Sequence, residues 1–337
     1  MELSLLSKYR TLLMGIATLG IIISHSMGFG CFCPNPLLKS IIMHGSLGVD
    51  IFLFLSGLGC WYSLNGGGIL NVSKWLKKRF IRIFIPYAIC YFILEFIKNI
   101  MYNEYDILND LLYFSTLTYW TDHKGFWFIA LLVPLYIITP FVYRLLEKFK
   151  NRIIIGMIII LLLLYLSTFQ DKNYQELMDA VIYNTIYAFK RATNFILGMM
   201  VAPYVKQNKR INVWVTIAIF SSLFLLQVVL RQMLNIYLFC NWCLTPILLI
   251  VFCKLLSKLD HKGKLYCTLM WFGSASLESY ITNGCTQGIA RWFALQNPNN
   301  DIFYGHYTEY SIVIVLGIVT AYIFHGWSQK IKTEIQI

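Results

Sequence analysis

The sequence predicts an all-α, polytopic integral-membrane helical bundle of about ten transmembrane helices with both termini cytoplasmic. Three observations carry this. The 337 residues are 58% hydrophobic and 13% charged, with a mean hydropathy of +0.62, whereas a soluble domain carries roughly 25% charged residues. Apolar runs of about 20 residues, long enough to cross a hydrocarbon core as a helix, recur along the whole chain. Lys and Arg collect in every second connecting segment, as on the cytoplasmic side of membrane proteins.

The first run, Arg10 to Phe29, contains "MGIATLGIIISHSM". It is as long as a full span and has no small-residue cleavage site before the next run, so it stays as a helix and is not removed as a signal peptide. The following runs are Gly45 to Leu64, Phe80 to Met101, Gly125 to Leu146, Ile153 to Phe169, Tyr183 to Val205, Val213 to Leu230, Ile236 to Ser257, Thr268 to Trp292 and Glu309 to Trp327. The sixth is the weakest, because Lys190 and Arg191 lie inside it.

With the amino terminus inside, the inner segments hold Lys74, Lys77, Lys78, Arg79 and Arg82, then Arg144, Lys148, Lys150 and Arg152, then Lys206, Lys209 and Arg210, then Lys254, Lys258, Lys262 and Lys264. The outer ones are acidic or mixed: Glu104, Asp106, Asp110 and Asp122 in one, Asp171, Glu176 and Asp179 in another. An odd number of spans would spoil this alternation. The net charge of +12 is therefore mainly a topology signal, and the expected surroundings are membrane lipids, with no nucleic acid as partner. Of the nine cysteines, Cys31 and Cys33 lie in the first outer loop, and Cys240 and Cys243 near the outer end of the eighth span. No His or carboxylate set with zinc spacing accompanies them, so they read as buried or interfacial thiols and no metal site is expected. With no soluble domain, linker or internal repeat, residues 1–337 read as a single membrane domain.

His25 stands near the outer end of the first span, and an ionisable residue inside a span calls for a function or a partner. Asp50, about five residues into the second span, falls at a similar depth because the two helices run in opposite directions. A carboxylate beside an imidazole fixes its tautomer and prepares it as a general base. The same pair could equally serve as polar glue between two helices. Arg10 lies 15 residues before His25, about 22 Å lower on the same helix and within about 60° of the same side. It either lines a path to His25 or anchors the helix end by snorkelling.

"YRTLLMGIATLGIIISHS" followed by "GSLGVDIFLFLSG" resembles the opening of the membrane-bound acyltransferase family 3 proteins. The resemblance continues through "KKRFIRIFIPY", "KGFWFIALLVPLYIITP", "RATNFILGM" and "FGSASLESYITN", six segments in the family's order. It implies an integral-membrane O-acyltransferase of a bacterial-type cytoplasmic membrane. Such a protein takes an acyl group, usually acetyl, from acyl-CoA on the cytoplasmic side and delivers it to a hydroxyl of an extracytoplasmic glycan or lipid-linked sugar. It further implies acetyl-CoA as donor and co-substrate, His25 as the base and Arg10 as a contact for the donor's phosphates or its passage; Asp50, from its depth, is expected to orient His25. Two positions depart from the family pattern: Met14 stands where many members carry a second Arg, and Asn283 where many carry a His after Tyr280.

Further residues have two readings each. Lys78, Arg79 and Arg82 follow from topology alone, yet they face the compartment that holds CoA and are expected to contact its diphosphate. Ser56, about 9 Å deeper than Asp50, either contacts the acyl chain or permits close helix packing. Glu278 in the ninth span needs a partner, for which Arg191 is the candidate, and the two form either an ion pair across the channel or a substrate contact. Trp127 is an aromatic-belt residue or a platform for a sugar, and Asn283 belongs to the same channel. His123 and Lys124 read as exposed loop residues without a role. The rival function is a transporter or flippase of lipid-linked glycan, which expects broken helices paired between two similar halves; the sequence shows no such symmetry. A glycan polymerase or ligase would call for a large outer loop, and the outer loops here are modest. The chain stops soon after the tenth span, so it is expected to finish the transfer itself or to use a separate partner.

Overall fold

The computed structural model describes residues 1–26, 35–122, 124–169, 177–234, 241–296 and 306–334. Cys31, Cys33, His123, Asp171, Glu176 and Cys240 lie outside the described residues. Among those described there are helices and no strands, apart from one isolated bridge between Glu2 and Arg210. In chain order the helices are α1 (Leu5–Lys8), α2 (Arg10–His25), α3 (Pro36–His44), α4 (Gly48–Asn65), α5 (Val72–Tyr102), α6 (Ile107–Phe114), α7 (Leu117–Asp122), α8 (Trp127–Lys148), α9 (Arg152–Leu166), α10 (Leu177–Lys206), α11 (Val213–Leu234), α12 (Asn241–Leu256), α13 (Lys264–Ser274), α14 (Ser276–Gln296) and α15 (His306–Glu334).

Local sequence explains where several helices begin. Asn35 caps α3 by accepting from the backbone N–H of Leu37 and Leu38, with Pro36 in the first turn. Asn71 caps α5 and Asp106 caps α6 in the same manner.

Among the described residues six helices are long and apolar enough to cross a membrane: Pro36–Asn65, Val72–Tyr102, Trp127–Lys148, Arg152–Phe169, Val213–Met233 and Tyr310–Glu334. The sequence reading of about ten counted four more. Two of these correspond to α2 and α12, apolar helices of 16 residues each. A third is α10, which buries Asn184, Lys190, Arg191 and Asn194 and so is not uniformly apolar. The last, the run from Thr268 to Trp292, does not form one helix: it breaks at Ala275, whose backbone leaves helical geometry (φ −95°, ψ 20°), giving α13 and α14. The second span is longer than predicted, because Gly45–Leu47 continues α3 into α4 as a 3-10 turn.

Small residues decide which helices touch. A Cβ at Gly57 would collide with the carbonyl oxygen of Phe195, and one at Gly198 with that of Phe54, so α4 and α10 meet backbone to backbone through reciprocal glycines. Gly15 against Leu269 and Gly273 against Thr11 bring α2 and α13 together in the same way. By contrast α9 and α11 turn Ile154, Ile158, Leu161, Leu225, Leu226 and Val229 outward, the surface a lipid environment accepts.

The basic segments gather at one end of the bundle. There the terminal amine of Met1 donates to the Ile211 carbonyl at 2.8 Å, Arg210 pairs with Glu2 at 2.9 Å, Lys206 donates to Asn65 at 2.6 Å and Trp61 to Glu147 at 2.8 Å. At the opposite end Asn99 donates to Asp110 at 2.7 Å, Tyr102 to the Gly288 carbonyl at 3.0 Å and Asn184 to the Tyr119 carbonyl at 2.7 Å. Among the described residues, the alternation of loop charge read from the sequence thus corresponds to two physical ends.

Candidate active site

α2 begins at the basic end with Arg10 and finishes with His25. Its last turn tightens: the N–H of Ser26 bonds to the carbonyls of Ile23 and Ser24, and the Ile22 carbonyl receives the hydroxyl of Tyr310 from α15. His25 is half-buried, and its Nδ1 lies 2.6 Å from Oδ1 of Asn283 on α14. An amide oxygen only accepts, so Nδ1 carries the proton and Nε2 is left with its lone pair as the basic nitrogen.

Below this pair is a cavity of about 460 Å³, within the range of small-molecule sites. Toward the basic end its wall includes Arg10, Arg79, Arg82 and Lys332. Toward His25 the wall is formed by Ile21, Val49, Phe52, Phe128 and Tyr280. Ile21 is four residues before His25, and Tyr280 three before Asn283, so this end lies about one helical turn from the pair. Phe52, Phe128 and Tyr280 form a linked aromatic group, with centroids 6.0 Å and 5.6 Å apart along the chain of contacts.

The cations at the other end are held differently. Arg79 donates to the Gly59 carbonyl at 3.0 Å and to Ser63 at 2.5 Å, over the faces of Trp75 and Tyr136. Arg10 has its Nε buried without a hydrogen-bond partner. Arg82 is exposed at the mouth.

Two predicted pairings are corrected. Asp50 does not orient His25. Its Oδ2 accepts from Arg191 Nη1 at 2.6 Å and Asn241 Nδ2 at 3.1 Å, and its Oδ1 from Asn194 Nδ2 at 3.0 Å. Neither depth nor direction brings them together: Gly45 packs on Gly20 and Ser24 and Gly48 on Ala17 and Ile21, so Asp50 stands about two turns nearer the basic end than His25, and Asp50, Phe54 and Gly57 share the face of α4 that packs on α10, while Val49, Phe52 and Ser56 face the cavity. Glu278 likewise does not pair with Arg191. Ser328 donates to its Oε1 at 2.6 Å, His325 Nδ1 stands at 3.3 Å and Lys332 Nζ at 4.0 Å, all from α15.

The other predicted residues sort by the same geometry. Ser56 lines the cavity, and its neighbour Gly57 makes the close packing. Trp127 presents its ring 5.5 Å from the Arg191 guanidinium and edge-on to Tyr187, so it supports the Asp50–Arg191 pair. Lys78 is exposed and off the cavity wall, to which α5 contributes Arg79 and, at the mouth, Arg82. Sequence reasoning missed Lys332, Ser328, His325, Asn194 and Asn241. The first three had a signal: at spacings of three and four residues they form one polar stripe on the last helix.

The acyltransferase domain family model matches residues 11–326. No curated protein and no solved structure gives a match. The family match takes in His25, Asn283 and the cavity wall apart from Arg10, Gln329, Lys332 and Thr333, and the chain belongs to the acyltransferase 3 family.

Proposed function

We propose that the protein transfers an acyl group, acetyl in the first instance, from acyl-CoA bound at the basic end to a hydroxyl of a glycan or lipid-linked sugar arriving from the opposite side, with His25 as general base. The basic end is then the cytoplasmic face of a bacterial-type inner membrane. The observation that carries this reading is one continuous cavity, walled by Arg10, Arg79, Arg82 and Lys332 at one end and closing about a turn from the His25–Asn283 pair at the other.

The residues suit a CoA thioester. Four cations meet its phosphates, and Arg10 brings an N–H that has no partner within the protein, which a phosphate or carbonyl oxygen would satisfy. About 22 Å separates Arg10 from His25 along α2, a span suited to the long, thin pantetheine arm. At the far end the acceptor hydroxyl gives its proton to His25 Nε2 as its oxygen attacks the thioester carbonyl carbon. The carbon–sulfur bond then breaks, the thiolate leaves with the electron pair, and the proton passes from His25 to sulfur. Ester and free CoA thiol result. Asn283 holds the ring in the tautomer that this requires. The aromatic group below the pair excludes water, which limits hydrolysis.

The test is release of thiol from acetyl-CoA by purified protein, with transfer of labelled acetyl to membrane glycan. Wild type should do both; His25→Ala should do neither while still binding CoA. Near-normal release by that variant would remove His25 from the chemistry.

A further inference from the structure

Glu278 takes no part in the His25–Asn283 pair, and of the four cations it meets Lys332, at 4.0 Å. It is 2% exposed, at a depth where a carboxylate is expensive to keep unless it has work, and it forms part of the cavity wall. The contacts from Ser328, His325 and Lys332 all fall on Oε1. They hold the carboxylate from the α15 side through Oε1, and none of these three contacts falls on Oε2. An ionised carboxylate only accepts, so its match in a bound molecule is an N–H or O–H group. A phosphate would be repelled.

Position narrows the choice. Glu278 is five residues before Asn283 on α14, about 7.5 Å nearer the basic end. On the proposed function, the thioester sulfur lies beside His25 and the diphosphate among the cations. What passes Glu278 is the pantetheine arm, whose amide groups begin a few bonds from the sulfur. We propose that Glu278 Oε2 accepts a hydrogen bond from an amide N–H of the pantetheine arm and so sets how far the donor reaches toward His25. This makes Glu278 a donor-positioning residue, with the α15 cluster holding it in place.

The experiment is a cycle of two donors against two enzymes, made with the purified full chain. The probes are acetyl-CoA and two analogues in which one or the other pantetheine amide N–H is replaced by an ester oxygen, which keeps the shape and sets acceptor against acceptor. Affinity is read by calorimetry, with KM and kcat by thiol release. In wild type one of the two esters should bind about tenfold or more weakly than acetyl-CoA, and in Glu278→Ala that penalty should vanish. Glu278→Gln keeps the volume and the bond from Ser328 and should show a penalty of a few-fold only, as expected for a neutral acceptor. The inference is overturned if both esters bind wild type as acetyl-CoA does, or if Glu278→Ala keeps the full penalty. Should the alanine variant fail to fold, Glu278→Gln decides alone: an unchanged penalty overturns the contact and a reduced one supports it. Failure of the acyl-transfer reading looks different, because wild type would then neither bind nor cleave acetyl-CoA.

Discussion

Replacing Arg191 by methionine separates a structural from a catalytic role for Asp50. The Asp50 side chain is fully buried and holds three donors, of which Arg191 supplies the charge and Asn194 and Asn241 supply neutral amides. In Arg191→Met the carboxylate keeps two hydrogen bonds and loses its countercharge, and an uncompensated buried charge costs about 3–5 kcal/mol. The converse variant, Asp50→Asn, leaves the guanidinium against the Tyr187 hydroxyl and the rings of Tyr187 and Trp127. Cation–π contacts are worth about 2 kcal/mol when desolvated, so its loss should be smaller. Thermal unfolding of detergent-purified protein should drop on the order of 5–10 °C for Arg191→Met, less for Asp50→Asn, and the double variant should fall by less than the sum of the two. If Arg191→Met melts as wild type does, or if Asp50→Asn lowers kcat at unchanged stability, Asp50 acts in the chemistry and the structural assignment is wrong.

Asn283→Leu should lower kcat by roughly 10²-fold, the cost of a misplaced base, with donor KM unchanged in the same thiol-release assay. Arg10→Ala should do the opposite, raising donor KM about tenfold or more through loss of a charged hydrogen bond while kcat at saturation holds; a fall in kcat alone would place Arg10 at the reaction centre. Gly57→Ala should reduce the yield of folded protein, measured by size-exclusion chromatography, because its methyl group meets the Phe195 carbonyl; unchanged yield would mean that α4 and α10 can part at little cost. Single cysteines in an otherwise cysteine-free chain should be labelled by an impermeant reagent from outside at Asn109→Cys and not at Ser73→Cys or Asn208→Cys, with labelling of Asn208→Cys from outside reversing the assignment of the basic end.

The fold class was legible because a bilayer leaves the backbone few options: an apolar run must satisfy its own amides, and in this chain it does so as helix. Helix integrity was less legible. The run from Thr268 to Trp292 reads as one span in the sequence, yet it breaks at Ala275, just after α13 packs on α2 through Gly15 and Gly273. For the site, position could be counted within one helix, while the register and azimuth between helices could not. Counting put Asp50 at the level of His25, but Gly48 seats on Ala17 and Ile21 and lowers Asp50 by about two turns, and the glycine contacts with α10, about 140 positions away in the sequence, fix which way α4 turns. The family resemblance named Asn283 as a departure from the usual His. Its geometry shows an amide keeping contact with His25 at the place where the sequence showed only a difference.

The two faces of α4 connect the buried ion pair to the cavity. Asp50, Phe54 and Gly57 lock one face to α10, and Val49, Phe52 and Ser56 on the other form the cavity wall. A slip of α4 by a single residue would turn it 100°. It would push Gly57 off the Phe195 carbonyl and carry Asp50 away from Arg191. Both the steric lock and the ion pair therefore oppose the same motion, one through short-range repulsion and the other through the cost of parting two buried charges. Glycine contacts alone leave small rotations cheap, since a helix can slide along a neighbouring backbone without a clash. A bond to Arg191 at 2.6 Å does not. Asp50 therefore acts on the cavity at a distance: its charge holds Phe52 and Ser56 on the wall, and the wall leads toward His25.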